Sequence, residues 1–203
     1  MKPNFKLSDY LKLESRKAHE SIEKSFDLLS LVSHHQGYIG VLKAFYSYYR
    51  QLEVHLENFT EDFTQVGLDI KTRLKLQLLK KDLLYYEWTN FEDLPRLEDK
   101  QLPQVLNFLQ AMGVLYVLEG STLGGQVISW HLKRSKLLGP SGEGGHFFYG
   151  YGDKTHEMWN TFKFALNGFS GHNDNIVLNS ARETFHTLET WLIQSQKECE
   201  IVL

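Results

Sequence analysis

The sequence predicts an all-α protein, a single-domain helical bundle over residues 1–203. Only four prolines interrupt the chain, and long segments repeat apolar residues at three- and four-residue spacing, the period of a helix with one buried side. An apolar content of 42% is enough for a substantial core in one domain of this length. Neither an internal repeat nor a low-complexity tract divides the chain.

Taken in order, Ser8 is placed to cap a first helix running to about Phe26, with Leu7, Leu11, Ala18, Ile22 and Phe26 inward. Tyr38, Val41, Leu42, Phe45, Tyr48, Tyr49, Leu52, Leu56 and Phe59 then form a broad apolar and aromatic stripe on a second helix. A third helix is expected from about Ile70 to Glu87. DLPRLEDKQLP reads as a polar connection, with Pro103 in the first turn of a long helix ending near Leu137. LGPSGEGGHFFYGYGD is expected to be a glycine-rich loop whose aromatics pack locally. Its GEGG follows no strand and fits neither the Rossmann nor the P-loop spacing. Two more helices follow, about Lys154 to Asn167 and Asn173 to Gln196.

Charge and cysteine content exclude several classes of function. The 22 basic and 25 acidic side chains nearly balance without a block of like charge, so neither nucleic acid nor an anionic membrane is indicated, though a local basic patch is still allowed. Cys199 is the only cysteine. It permits no internal disulfide and no metal-thiolate site, and fits a reducing compartment. MKPNFKLSDYLKLES lacks the apolar run of a signal peptide and no stretch approaches the ~20 apolar residues of a membrane span, so a soluble, cytoplasmic protein is expected.

The fourth helix contains VLEGSTLGGQV, and each glycine inside a helix costs about 1 kcal/mol relative to alanine. Gly113, Gly120 and Gly124, seven and four residues apart, share nearly one face, with Ser121 beside them and Gly125 slightly rotated. Bare backbone there serves either a closely packed neighbouring helix, or a flat ligand lying on the helix or entering where it bends.

A second feature favours the ligand. In LKLESRKAHESIEKSF, His19, Ile22, Glu23 and Phe26 stand at helical neighbour spacing. A lone histidine on such a face is usually a core residue, but an imidazole that ligates a metal commonly donates its other N–H to an acceptor such as the carboxylate one turn on. Lys12, seven residues earlier, points the same way about 10 Å along a continuous helix, where a cation meets a ligand's carboxylate. An imidazole, a side-chain-free surface and a cation at one edge describe a site for a flat, iron-bearing, anionic molecule, and haem b (iron protoporphyrin IX) meets all three conditions. No rival metal set emerges: His34 and His35 fall in a loop, and His55, His131, His146, His156, His172 and His186 form no HxxxH pair with a third ligand. His131 sits where it can face the C-terminal dipole of the glycine helix.

KAHESIE, GVLYVLEGSTLGGQVI at 113–128 and ARETFHTLETWL at 181–192 together carry a resemblance over nearly the whole chain. The sequence resembles the biliverdin-producing haem oxygenases, most closely the bacterial ones associated with bacteriophytochromes. That resemblance implies a haem-oxygenase-like bundle cleaving haem, both cofactor and substrate, with O₂ and external electrons to biliverdin, carbon monoxide and iron. It makes His19 the proximal iron ligand oriented by Glu23, and Gly120, Gly124 and Gly125 the distal helix over the haem. Lys12 and Lys163 become propionate partners, and Phe185 lines the distal pocket. Ser121 stands where the animal enzymes carry an aspartate that organises distal water, which bears on proton delivery and the carbon attacked. The implied partners are haem, O₂ and an electron donor such as a ferredoxin or reductase, with a link to a bacteriophytochrome pathway. A non-catalytic haem carrier or sensor is the main rival reading, and a thiaminase-like relative a third.

Overall fold

The computed structural model describes residues 6–171 and 174–200, with side chains to Lys197. Among these there is no strand; ten α-helices and four short 3-10 turns account for the regular structure. His172, Asn173, where the last helix was expected to start, and the Cys199 side chain lie outside the described set.

Three long helices build the centre: α4 (His35–Glu57), α7 (Phe108–Ser135) and α10 (Asp174–Glu200). Helix α10 runs along α7 on one side and α4 on the other. The stripe read on α4 is buried as expected from Tyr38 to Leu56, while Phe59 falls beyond the helix end and is half-buried; two of its tyrosines carry their hydroxyls to partners, Tyr38 donating to the Gly144 carbonyl at 2.7 Å and Tyr48 pairing with the Thr187 hydroxyl at 2.8 Å. Around this centre stand α1 (Leu7–Glu14), α2 (Arg16–Ser25), α3 (Leu28–Leu31), α5 (Thr60–Gln65), α6 (Leu76–Tyr85), α8 (His146–Tyr149) and α9 (Thr155–Asn167).

Several boundaries differ from the sequence expectation, each for a tertiary reason. The first helix is two, broken at Ser15, whose hydroxyl bonds back to the Leu11 carbonyl at 2.7 Å. Ser8 is not its cap: it lies inside α1, and the first free amides go to the end of α9, Leu7 N to Ser170 Oγ (3.0 Å) and Ser8 N to Asn167 Oδ1 (2.9 Å). Helix α6 starts at Leu76 rather than Ile70 because Glu53 of α4 takes the amides of Lys75 (2.5 Å) and Leu76 (3.1 Å). Such a cap 22 residues away is invisible to local pattern. Helix α7 starts at Phe108, not near Pro103, where the Asn107 side chain accepts from Gln110 N at 3.0 Å. The aromatics of the glycine-rich stretch do not pack locally. Phe147 and Phe148 form α8 and enter the core, Phe147 at 5.1 Å from Phe45 and 5.5 Å from Tyr49, Phe148 at 6.2 Å from Tyr38 (ring centroids). His35 opens α4 rather than sitting in a loop, and its ring meets Tyr86 edge-on at 5.4 Å.

Helix α2 is the exception to this packing. None of its ten residues is fully buried; Ala18 and Ile22 are half-buried against the core, and Ser21 and Ser25 donate to Glu189 Oε1 of α10 at 2.8 and 2.6 Å.

Candidate functional site

Helix α7 changes character at Gly120. From Ala111 to Glu119 every residue is buried; beyond it only Gly125, Ile128, Ser129 and Leu132 are. The glycines divide accordingly. A Cβ on Gly113 would stand 2.5 Å from the Val177 carbonyl oxygen of α10, and one on Gly125 2.9 Å from that of Phe148, so both are spent on close packing. A Cβ on Gly120 would meet only Trp159, at 3.8 Å, and one on Gly124 nothing within 4 Å. Two glycines one turn apart thus offer bare backbone to open space. Exposed Ser121 lies between them, its hydroxyl donating to the Leu118 carbonyl at 2.8 Å and lying near the Tyr49 phenol, whose pKa burial pushes up.

His19 is on α2, its side chain 55% exposed, with Nδ1 3.4 Å from Glu23 Oε2. Its ring meets Phe185 of α10 edge-on, centroids 5.7 Å apart. Phe185, which the resemblance makes a lining residue of the distal pocket, thus stands beside the histidine. With Nδ1 turned to a carboxylate, Nε2 is left as the nitrogen for a ligand.

Contacts at its two ends hold the α2 segment beside α7. Buried Ser15 hydrogen-bonds Tyr116, while Ser33 Oγ and His131 Nε2 are 2.8 Å apart. His131 thus serves as a tether rather than acting on the helix dipole. From Tyr116 to His131 is about 22 Å of helix, and Gly120 and Gly124 fall within it as His19 and Glu23 fall within the facing segment. The two tethers thus lay the segment carrying His19 along the stretch of α7 that holds Gly120 and Gly124. Trp159 stands at the Gly120 end, its ring centroid 5.6 Å from that of Tyr116.

The break at Ser15 puts Lys12 and His19 on different helices, so the argument from a seven-residue register does not hold. Lys12 is exposed on α1, which packs on α9. Lys163, on α9, holds its Nζ 5.7 Å from the Trp159 ring centre, at the Gly120 end. Trp159 itself escaped the sequence reading. The available signal was its four-residue spacing from Lys163.

Behind the glycine segment lies a buried charged group also missed from sequence. Glu119 accepts from the Tyr151 hydroxyl at 2.5 Å and from Arg73, while Lys75 Nζ sits 3.4 Å over the Tyr151 ring. Burial raises the Glu119 carboxyl's pKa, against the pull of Arg73 and Lys75. Burial likewise lifts Glu53 to about 7 and lowers Lys75 to about 8. A cavity of about 490 Å³ reaches this group from the side of Lys71, Thr72 and Tyr151. A second, of about 400 Å³, lies between α4 and α10 around Ser47 and Trp191. Neither is lined by His19, Gly120 or Gly124. Among the described residues no three His, Cys, Asp or Glu side chains converge to hold a metal ion.

The family model for heme oxygenase matches residues 5–194. The chain belongs to the haem oxygenase family. Solved structures share the fold: a heme oxygenase from Neisseria meningitidis, described in NO- and CO-bound form, aligns with TM-score 0.78 at 19% identity over 94% of this chain and 92% of that one. Heme oxygenase-1 from the cyanobacterium Synechocystis, in complex with heme, gives 0.76 at 16% identity, covering 98% and 96%. The Leptospira interrogans heme oxygenase gives 0.76 at 18%, covering 94% and 100%. No curated protein matches. The all-α, single-domain fold expected from the sequence is thus the haem oxygenase fold. No helix among the described residues is long and apolar enough to cross a membrane.

Proposed function

We propose that this haem oxygenase family enzyme binds haem b between His19 and the Gly120–Gly124 backbone and cleaves it to biliverdin, carbon monoxide and iron. The observation that supports the reading is the pair of helix glycines without close packing, Gly124 open and Gly120 near only Trp159, in the stretch of α7 along which the His19 segment is tethered. The residues present fit the ligand. His19 would supply a single nitrogen to an iron that brings its own four-nitrogen chelate, so no further protein ligand is required.

The roles of the chain's own groups follow from chemistry. Glu23 accepts from Nδ1–H and fixes the tautomer that presents Nε2. Phe185, edge-on to the imidazole, limits its rotation. Gly120 and Gly124 let a flat ring lie against main chain, and Trp159 stops it at one end. Lys163, with Lys12 on the adjoining helix, meets the carboxylate edge. The haem supplies the O₂-binding iron and is itself the molecule oxidised. Between Gly120 and Gly124 there is no imidazole or guanidinium to act as a strong acid; the polar side chains are the hydroxyls of Ser121 and Thr122, and the bond Ser121 donates to the Leu118 carbonyl leaves it lone pairs to order water. Electrons come from an external carrier of the ferredoxin or reductase type. Cytoplasmic bilin supply to a bacteriophytochrome is the physiological setting we favour.

The test is reconstitution with hemin followed by a reductant system and O₂, with chromatography of the products. The wild type is expected to show a histidine-ligated haem spectrum and yield bilin. His19→Ala is expected to lose both; an unchanged spectrum and product would overturn the ligand assignment. A wild type that binds hemin and returns it intact is a carrier.

A further inference from the structure

Helix α2 carries the imidazole, yet the rest of the chain does not set its orientation through a continuous helix. The break at Ser15 uncouples it from α1, which is anchored by buried Leu7 and Leu11. Its own apolar contacts, Ala18 and Ile22, are half-buried and non-directional. Directional contacts come from one stripe of α10, where Arg182, Phe185 and Glu189 stand three and four residues apart and share a face. Arg182 donates to the Glu14 carbonyl at 3.1 and 2.7 Å and to the Glu14 carboxylate at 3.0 Å, fixing the chain just before the break. Phe185 meets the His19 ring edge-on. Half-buried Glu189 takes the hydroxyls of Ser21 and Ser25 on the single oxygen Oε1, at 2.8 and 2.6 Å. The Ser25 hydroxyl is shared with the Ser21 carbonyl, also 2.8 Å away, whereas that of Ser21 goes to Glu189 alone.

These contacts grip α2 on opposite flanks. At about 100° per residue, His19 and Ser21 point about 160° apart around the helix axis, with Ala18, Ile22 and Ser25 between them. A helix held on one flank can roll about its axis; one held on both cannot. Side chains reach about 5–6 Å from the axis, so a roll of about 10° carries the imidazole about 1 Å, a displacement that costs a positioned reaction on the order of a hundredfold. We propose that Glu189 is a positioning residue: by holding Ser21 and Ser25 it fixes the roll of α2, and with it the direction in which His19 presents Nε2. The role rests on the haem reading above and acts through α2. Glu23 and Glu189 then divide the work, the first selecting the nitrogen that faces the ligand and the second aiming it.

The test compares the hemin-loaded wild type with Glu189→Leu, with Glu189→Gln, and with Ser21→Ala and Ser25→Ala combined. Two quantities are read: the iron–histidine stretching band in the resonance Raman spectrum of the ferrous protein, and the rate of bilin formation. Glu189→Leu and the serine pair are each expected to shift or broaden the band and to slow turnover roughly ten- to a hundredfold. Glu189→Gln, whose side-chain oxygen still accepts from both hydroxyls, is expected to keep both at the wild-type value. All three substitutions of Glu189→Leu, Ser21→Ala and Ser25→Ala together are expected to do no more than either set alone, as for partners in one interaction. An unmoved band in Glu189→Leu, whatever its melting point, a glutamine variant as impaired as the leucine one, or effects that simply add would each overturn the proposal. Amide hydrogen exchange of the hemin-free chain reads the grip separately: residues 16–25 are expected to exchange several-fold faster in Glu189→Leu, and an equal rate would overturn it as well. A wild type that shows no iron–histidine band would instead overturn the haem reading.

Discussion

Replacing Gly124 by alanine separates what the helix wants from what a flat ligand wants. A Cβ there meets nothing within 4 Å, so the unloaded protein gains the ordinary helix preference for alanine, about 1 kcal/mol, and for this length a melting point about 2–4 °C higher. Gly125→Ala is a control of opposite sign: its Cβ would stand 2.9 Å from the Phe148 carbonyl oxygen, and overpacking of about 1–3 kcal/mol offsets or exceeds the same propensity gain. For a flat ring resting on the Gly124 backbone, the new methyl is an overpacking of similar size, about 1–3 kcal/mol, or about 5- to 150-fold in hemin affinity. The assays are thermal melting of the hemin-free proteins and hemin titration by Soret absorbance. Gly124→Ala is expected to be more stable and bind hemin more weakly, and Gly125→Ala to be less stable. A Gly124→Ala protein that gains stability yet takes up hemin with wild-type affinity would refute the claim that this glycine exists for a ligand.

Other substitutions test the surroundings. Glu53 has a folded pKa raised from 4.5 to about 7, so its contribution to stability is full below pH 4.5 and lost as pH rises to 7. That is about 3 kcal/mol. Lys75, lowered from 10.5 to about 8, works the other way, its penalty relieved between pH 8 and 10.5. Glu53→Gln keeps an oxygen for the Lys75 and Leu76 amides while removing the charge, and is expected to flatten the loss between pH 4.5 and 7 in urea melts; an unchanged slope would contradict the assignment. Phe148→Ala is expected to cost about 3–5 kcal/mol in chemical denaturation, because its ring belongs to the core with Tyr38 and Phe45; a cost below about 1 kcal/mol would mean that α8 is only a surface loop.

What could be read in advance was whatever depends on neighbours along the chain. The α4 stripe, the long glycine helix and the pairing of His19 with Glu23 all follow from three- and four-residue spacing, and the structure has each of them. What could not be read depends on neighbours far away. The Ser15 break coincides with its contact to Tyr116, and the start of α6 is fixed by Glu53. Gly113 and Gly125 look the same in sequence as Gly120 and Gly124; only the carbonyls of Val177 and Phe148 tell the packed pair from the open pair. Phe147 and Phe148 sit in a stretch rich in turn residues, which hid a core helix. The roles of Lys163 and Ser121 came from the family resemblance; that of Lys12 also rested on a seven-residue register, which the Ser15 break removes.

The helix that carries His19 has no fully buried residue. Most of what secures a surface helix is the apolar side it hides, and here that side is only Ala18 and Ile22, half-buried against the core, beside serine hydroxyls and end tethers. A large aromatic disc slid beneath it would serve as the missing interior, so that pigment and polypeptide complete one another: a ligand present at 100 times its dissociation constant adds about 2.7 kcal/mol to the folded state. Scarcity of the substrate would then register as a loosening of this one segment, long before the rest of the bundle lets go.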